Sequence, residues 1–327
     1  MCTSVSLKSR DDLHLLARTM DFSYDLSPEM TIIQRDYPLK FGLLDQPLTN
    51  HFAFLGLSKN IGDHIMADGL NEHGLAAAVL YFEGYAHYNN QKEGALNLMS
   101  HEIVNWILAS YTSIEEVIDA FGRINITNDA NPMLGIASPL HWVFTDATGR
   151  SIIVEPLKDG LKIHENKLGV MANSPDYDWH KTNIRNYIGV NPKQVEPVEL
   201  FEETFKPFGQ GSGTFGLPGD YSPPSRFIRT LFAKLTRVPN YGEEDLVNSA
   251  YHILSGVDIM KGSVVTQRNS LDYTQYTTCM MTNTRTYYFK MYNNSQIVRV
   301  NLNDYTLDGQ DALSHPVPTQ QVFGSIK

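Results

Sequence analysis

Met1-Cys2-Thr3-Ser4-Val5-Ser6-Leu7 opens the chain. Removing one methionine would leave Cys2 with a thiol and a free α-amine on the same residue. An α-amine titrates near pH 8 and a thiol about half a unit higher, so near neutrality the amine can take the thiol proton, directly or through a water. A nucleophile activated by its own terminal amine is one route to acyl transfer. A small second residue also simply permits methionine removal, and position alone leaves both readings open. The partners that such a site requires have to come from elsewhere in the sequence.

Outward from Cys2, residues 3–7 begin a series of short strand-like runs that continues at 14–20, 30–35, 51–57 and 74–82, with turn residues between them that suit antiparallel pairing. The period then changes. Residues 97–111 carry Ile103, Val104, Trp106, Ile107 and Leu108 on a helical pattern, and Ser113 with Glu116 reads as a capping box opening a second helix. Strands resume at 141–146, turn through Ala147-Thr148-Gly149, return over 151–155, and continue at 161–165 and 169–173. Ser222-Pro223 starts a third helix with Phe227, Ile228, Leu231, Phe232 and Leu235 on one face. A fourth spans 243–254 and stops at Gly256, and strands fill 273–282, 286–292 and 296–302. Helix pairs arriving between antiparallel sheets can each cover one sheet's outer face. The pattern therefore predicts an α+β, four-layer α-β-β-α sandwich, with residues 1–327 as a single domain.

Composition narrows the function. The 327 residues are 42% hydrophobic and 19% charged, the profile of a folded globular chain. The net charge is −10 and no cluster of Lys and Arg forms a basic face, which argues against nucleic acid and anionic membranes as partners. Arg10, Asp11, Asp12 and His14 interrupt any signal peptide and no run is long enough for a membrane span, so a cytoplasmic location is expected. Cys2 and Cys279 are the only cysteines, too few for a disulfide framework. Cys279 lies in an apolar run and reads as a buried small hydrophobe. The histidines show no ligand spacing, so no metal is expected. Gly211-Ser212-Gly213-Thr214-Phe215-Gly216 matches a dinucleotide fingerprint but runs into Leu217-Pro218-Gly219 and no helix. It is read as a glycine-rich loop near the site. Asn125-Ile126-Thr127 is set aside as a glycosylation acceptor because a cytoplasmic chain does not meet that machinery.

Three places offer partners for a thiol. A strand pairing with the one that carries Cys2 would bring Arg18 and Asp21 close. Asp21 could then bind the terminal amine while Arg18 favours thiolate by its charge. The same two residues also fit a solvated Arg and a turn-forming Asp. Asn173 ends a strand just before Ser174-Pro175, where a side-chain amide can donate to an oxyanion or merely serve a loop. Arg226 sits in the first turn of a helix, where the dipole disfavours a cation, which hints at a specific task. Met20, Phe22, Tyr24 and Phe82 lie close in sequence to these residues and could line an acyl pocket.

Several motifs carry a resemblance: Met1-Cys2-Thr3-Ser4, Leu16-Ala17-Arg18-Thr19-Met20-Asp21-Phe22, Ala67-Asp68-Gly69-Leu70-Asn71-Glu72-His73-Gly74-Leu75, Asn173-Ser174-Pro175-Asp176-Tyr177, Ser222-Pro223-Pro224-Ser225-Arg226-Phe227 and Tyr273-Thr274-Gln275-Tyr276-Thr277. Together and in this order they resemble the choloylglycine hydrolase family, which contains bile salt hydrolases and penicillin V acylases on the N-terminal nucleophile hydrolase fold. The resemblance implies Cys2 as nucleophile with its amine as base, Arg18, Asp21 and Arg226 as the charged cluster, and Asn173 with the backbone N–H of Tyr81 as oxyanion donors. It implies no cofactor, a small-molecule amide substrate, and a homotetramer. The Tyr at position 81 is the penicillin V acylase type, so phenoxyacetyl amides lead the expectation. Conjugated bile acids and N-acyl homoserine lactones are the alternatives, and a non-catalytic amide binder or a thiol redox sensor would be a different class.

Overall fold

The structure is a computed structural model and describes every residue except Pro132, Asn240 and Lys327. Two antiparallel sheets stack face to face. The six-stranded sheet runs in the order Val170–Met171, Cys2–Lys8, His14–Phe22, Tyr273–Met281, Thr286–Met291 and Asn294–Asn301. The nine-stranded sheet centres on Leu140–Thr145, Ala76–Tyr81, Asp68–Asn71 and Phe54–Asn60 and ends at Ala312–Pro316.

The period-2 alternation explains the layering. In the Ala76–Tyr81 strand, Ala76, Ala78 and Leu80 pack toward the six-stranded sheet, while Ala77 and Val79 join the helix-covered cluster. The neighbouring strands repeat this, with Val143 and Ile153 inward and Trp142, Phe144, Ile152 and Val154 outward. Helices Ile103–Ser110 and Ile114–Phe121 bury Ile103, Ile107, Ile114 and Val117 on that outer face. Helices Pro223–Thr236 and Glu243–Ser255 cover the other sheet through Phe227, Ile228, Leu246 and Ala250. This is the four-layer α-β-β-α arrangement expected from the element order.

Local differences have physical reasons. The expected 97–111 helix begins only at Ile103. Leu96–Met99 is a strand paired in parallel with Ile124–Thr127, and Ser100–Glu102 is a single 3-10 turn. Of the capping box, Ser113 Oγ accepts from Glu116 N at 3.3 Å, but the Glu116 carboxylate turns to the Thr112 N–H at 2.7 Å. Leu235, in the last turn of the Pro223–Thr236 helix, is 72% exposed. The glycine-rich loop is not at the site. Gly213 packs on the backbone of Asn191 and Lys193, and the loop takes no part in the cavity beside Cys2.

Candidate active site

Cys2 begins the second strand of the six-stranded sheet and pairs with Met20, so the end of the His14–Phe22 strand lies beside it as expected. Two positions along, Arg18 is fully buried and reaches back along the sheet. Its Nη2 donates to Cys2 Sγ at 2.9 Å and to Val79 O at 3.1 Å, its Nη1 to Asp68 Oδ2 at 2.8 Å, and its Nε to Thr19 O at 2.9 Å. Burial works against the guanidinium charge, but the Cys2 sulfur and the Asp68 carboxyl outweigh it and move the Arg18 pKa up. A buried cation of this kind persists only when its donors are satisfied.

Asp21 and Arg226 form a second buried pair, at 3.9 Å. Asp21 accepts from Thr274 Oγ1 at 2.6 Å and Thr19 Oγ1 at 3.2 Å. Burial raises its pKa and the Arg226 charge opposes that; burial lowers the Arg226 pKa and Asp21 opposes that. Arg226 ties the start of the Cys2 strand to the Asn173 turn. Nη1 donates to Cys2 O at 2.6 Å and to Thr3 Oγ1, and Nη2 donates to Asn173 Oδ1 at 2.7 Å.

These donors settle how the Asn173 amide points. A guanidinium and a backbone N–H only donate, and Cys2 N also meets Asn173 Oδ1, at 2.7 Å. The oxygen must therefore face Arg226 and Cys2, which leaves Nδ2 to donate to Tyr81 O at 2.7 Å. Tyr81 lies opposite Leu140, and Phe82 N donates to Pro139 O at 2.7 Å. Ladder alternation then turns the N–H of Tyr81 away from that strand, to the side where its carbonyl meets Asn173. Met1 is attached in this structure. Its amine donates to Asp21 O at 2.5 Å and to Asp272 Oδ2 at 3.2 Å, and the Cys2 nitrogen is a peptide N–H.

A cavity of about 140 Å³ opens beside Cys2. Met20 and Phe22 line it as expected, together with Tyr81, whose ring lies 6.5 Å from that of Phe22. Tyr24 and Phe82 do not line it. Tyr24 is 43% exposed and packs on Phe22 from outside, at 5.6 Å between rings. Phe82 is wholly buried and stacked on His141 at 4.0 Å, because strand alternation puts it on the opposite face from Tyr81. The remaining walls are largely apolar and include Ile65, Met66, Met133 and Leu134, which sequence reading did not single out. Among the described residues no group of three or more His, Cys, Asp or Glu could hold a metal ion.

Sequence reasoning also missed the groups behind the site. His180 Nε2 meets Asn173 O at 2.9 Å, and Glu155 accepts from Tyr177 N at 3.1 Å while meeting His141 Nδ1 at 3.3 Å. Together they fix the turn that carries Asn173. Asp68 stood in a quoted motif, but nothing in the sequence linked it to Arg18, fifty residues earlier.

A profile described as linear amide C-N hydrolases, choloylglycine hydrolase family, matches residues 2–315. The chain belongs to this family. It is 36% identical to the bile salt hydrolase/transferase of Clostridium perfringens, over 95% of both chains. The crystal structure of the C2A mutant of the conjugated bile acid hydrolase from that organism superposes with a TM-score of 0.92 at 33% identity, covering 100% of each chain. The penicillin V acylase of Pectobacterium atrosepticum is 26% identical over 70% of this chain and 58% of that protein. The chain is therefore a linear amide C-N hydrolase with the N-terminal nucleophile hydrolase fold.

Proposed function

We propose that this hydrolase cleaves the amide of a conjugated bile acid through a thioester on Cys2, after Met1 is removed. The contact from Arg18 Nη2 to Cys2 Sγ at 2.9 Å, beside a largely apolar cavity, carries the mechanistic half. In this reading the thiolate attacks the amide carbonyl, and Asn173 Nδ2 with the Tyr81 N–H receives the oxyanion. The freed Cys2 amine, in the neighbourhood of Asp21, protonates the leaving amine and then activates the water that hydrolyses the acyl-enzyme. Arg226 holds Asn173 Oδ1 and Cys2 O in place. The substrate half is supported by the extent and identity of the match to bile salt hydrolases. That match moves bile acids ahead of the phenoxyacetyl amides that led the reading of the sequence.

One observation favours phenoxyacetyl amides as a second reading. The Tyr81 ring beside Phe22 narrows the cavity and offers an aromatic wall for a flat acyl group. A thiol sensor pairing Cys2 with Cys279 has little support. Cys279 pairs with Ala17 while Cys2 pairs with Met20, two strands and several residues apart, beyond the roughly 7 Å that a disulfide spans between Cα atoms.

No helix among the described residues is long and apolar enough to cross a membrane, which fits the proposed cytoplasmic location. The inner core shared by both sheets supports reading residues 1–327 as one domain. The separate hairpin Val198–Leu200 with Glu203–Phe205 exposes Phe201 and nearby Phe208, apolar surface that fits the proposed homotetramer. The test compares glycocholate, taurocholate and penicillin V hydrolysis by the wild type and Cys2→Ser. Faster turnover of a bile salt, lost in the variant, is expected. Penicillin V turnover tenfold above glycocholate would replace the substrate claim with the second reading, and full activity in Cys2→Ser would remove the mechanism.

A further inference from the structure

The Ala67-Asp68-Gly69-Leu70-Asn71 motif supplies a buried carboxyl that the proposed reaction does not use. Asp68 begins a strand of the nine-stranded sheet and has no exposed surface. Its Oδ2 accepts from Arg18 Nη1 at 2.8 Å and Tyr276 OH at 3.3 Å, and its Oδ1 accepts from Tyr287 OH. Tyr287 OH accepts in turn from Leu57 N at 3.3 Å. A single guanidinium thus lies between this carboxyl and the Cys2 sulfur, with both contacts under 3 Å.

A guanidinium is a rigid planar fork, so fixing some of its donors aims the rest. Thr19 O, Asp68 and Val79 O hold Nε, Nη1 and one direction of Nη2, and the remaining direction points at Sγ. We propose that Asp68 is a positioning residue, which aims Arg18 at Cys2 and sets how much of its positive charge the sulfur feels. The inference rests on reading Cys2 as the nucleophile. The other charged or titratable groups around this cluster are the Cys2 amine once Met1 is removed, Asp21, Arg226, Tyr251, Tyr276 and Tyr287, with Lys59, Tyr81 and His101 across the cavity.

The sign follows from charge balance. With the carboxylate replaced by an amide, Arg18 is less offset, the thiolate is favoured, and the thiol titrates at lower pH. A more stabilised thiolate is also a weaker nucleophile. The test follows alkylation of Cys2 by iodoacetamide against pH, read by mass spectrometry of the N-terminal peptide, beside steady-state kinetics. In Asp68→Asn the alkylation midpoint moves down by about one pH unit, and kcat falls about tenfold with KM little changed. In Tyr287→Phe the carboxylate loses one donor and keeps its charge, so the midpoint moves up, by less. A purely structural Asp68 would lower the melting temperature and leave the midpoint in place. Coincident profiles in the wild type and both variants overturn the proposal, as does a downward move in Tyr287→Phe, which decides alone if Asp68→Asn does not fold. The alkylation needs no substrate. A wild type inert toward every amide would therefore sink the proposed function and still leave Asp68 to be judged.

Discussion

On its outer face the nine-stranded sheet meets two helices through Phe54, Ala77, Trp142 and Phe144, a mainly apolar contact to which Asn71, Asn105 and Asp146 add hydrogen bonds. On its inner face the same sheet presents Asp68 to Arg18, and at the Cys2 end the carbonyls of Val79 and Tyr81, in the plane of the sheet, accept from Arg18 and Asn173. Both layers are buried, yet one is filled mainly by side chains that need only shape and the other mainly by groups that need partners. Away from the cavity, whose wall takes Met66 and Val79 from the helix-covered cluster, apolar packing and the polar contacts thus lie on opposite sides of the sheet. The Ala76–Tyr81 strand packs Ala77 against the helices, and its end gives Arg18 and Asn173 the carbonyls of Val79 and Tyr81 and gives the cavity their side chains.

A pair of substitutions tests that division most sharply. Arg226→Met removes the donor to Asn173 Oδ1 and Cys2 O and leaves Asp21 buried without its facing cation. About 3–5 kcal/mol of stability should go, as when one partner of a buried ion pair is deleted, together with at least ~100-fold of turnover. Ile107→Ala, in the helix layer, removes a wholly buried side chain and should cost a comparable ~3 kcal/mol with kcat unchanged at a temperature where both forms are folded. Chemical denaturation beside steady-state kinetics measures both. Equal kinetic damage from the two would erase the distinction between the layers.

The apolar layers were also the more legible in the sequence. Alternation in 3–7, 14–20, 74–82 and 273–282 located the central strands to within about two residues, because buried sheets write a period of two. The strand Asp68–Asn71 escaped, since Asp, Gly and Asn are poor strand formers. Gly69 is there for closeness: a Cβ on it would lie 2.8 Å from Leu55 O and from Leu108 Cδ1. The charged layer was legible only through motif resemblance. The structure brings Cys2, Arg18, Asp21, Asn173 and Arg226 together, and their partners Asp68, Thr274 and His180 come from distant segments that no local pattern connects. Phe82 shows the cost of judging by adjacency, since one residue's step along a strand exchanges cavity for core.

Acid should expose the polar layer next. Burial holds His180 down at about 4 and lowers His141 as well, so both stay neutral in the fold while the unfolded chain protonates them near 6.5. The unfolded state then binds more protons between those values. Stability is complete above about pH 6.5 and falls toward pH 4, by up to about 1.4 kcal/mol per pH unit for each such histidine. Glu155, pulled down to about 2 against its own burial by hydrogen bonds from His141, His164 and the Tyr177 N–H, adds a loss only below its unfolded value of 4.5. His180→Gln keeps a donor for Asn173 O and removes one titration. Urea midpoints measured from pH 7 to pH 4 should fall less steeply in this variant, and parallel slopes would show that His180 titrates alike in both states.

The smallest effect belongs to the helix layer's rim. Ser113 Oγ accepts from Glu116 N at 3.3 Å, a long bond, whereas the Glu116 carboxylate takes shorter ones from the Thr112 N–H at 2.7 Å and hydroxyl at 2.9 Å. An N-cap Ser→Ala change usually costs about 1 kcal/mol, and the length of this bond places Ser113→Ala at or below that figure. Glu116→Ala removes two good acceptor contacts and a first-turn anion that suits the helix dipole, so it should cost at least as much although Glu116 is solvent-exposed and Ser113 half-buried. Neither change reaches the inner layer, and kcat should match the wild type in both. Thermal melts that rank Ser113→Ala as the costlier of the two would mean that the cap alone secures the helix start, with the Glu116 to Thr112 contacts contributing nothing measurable.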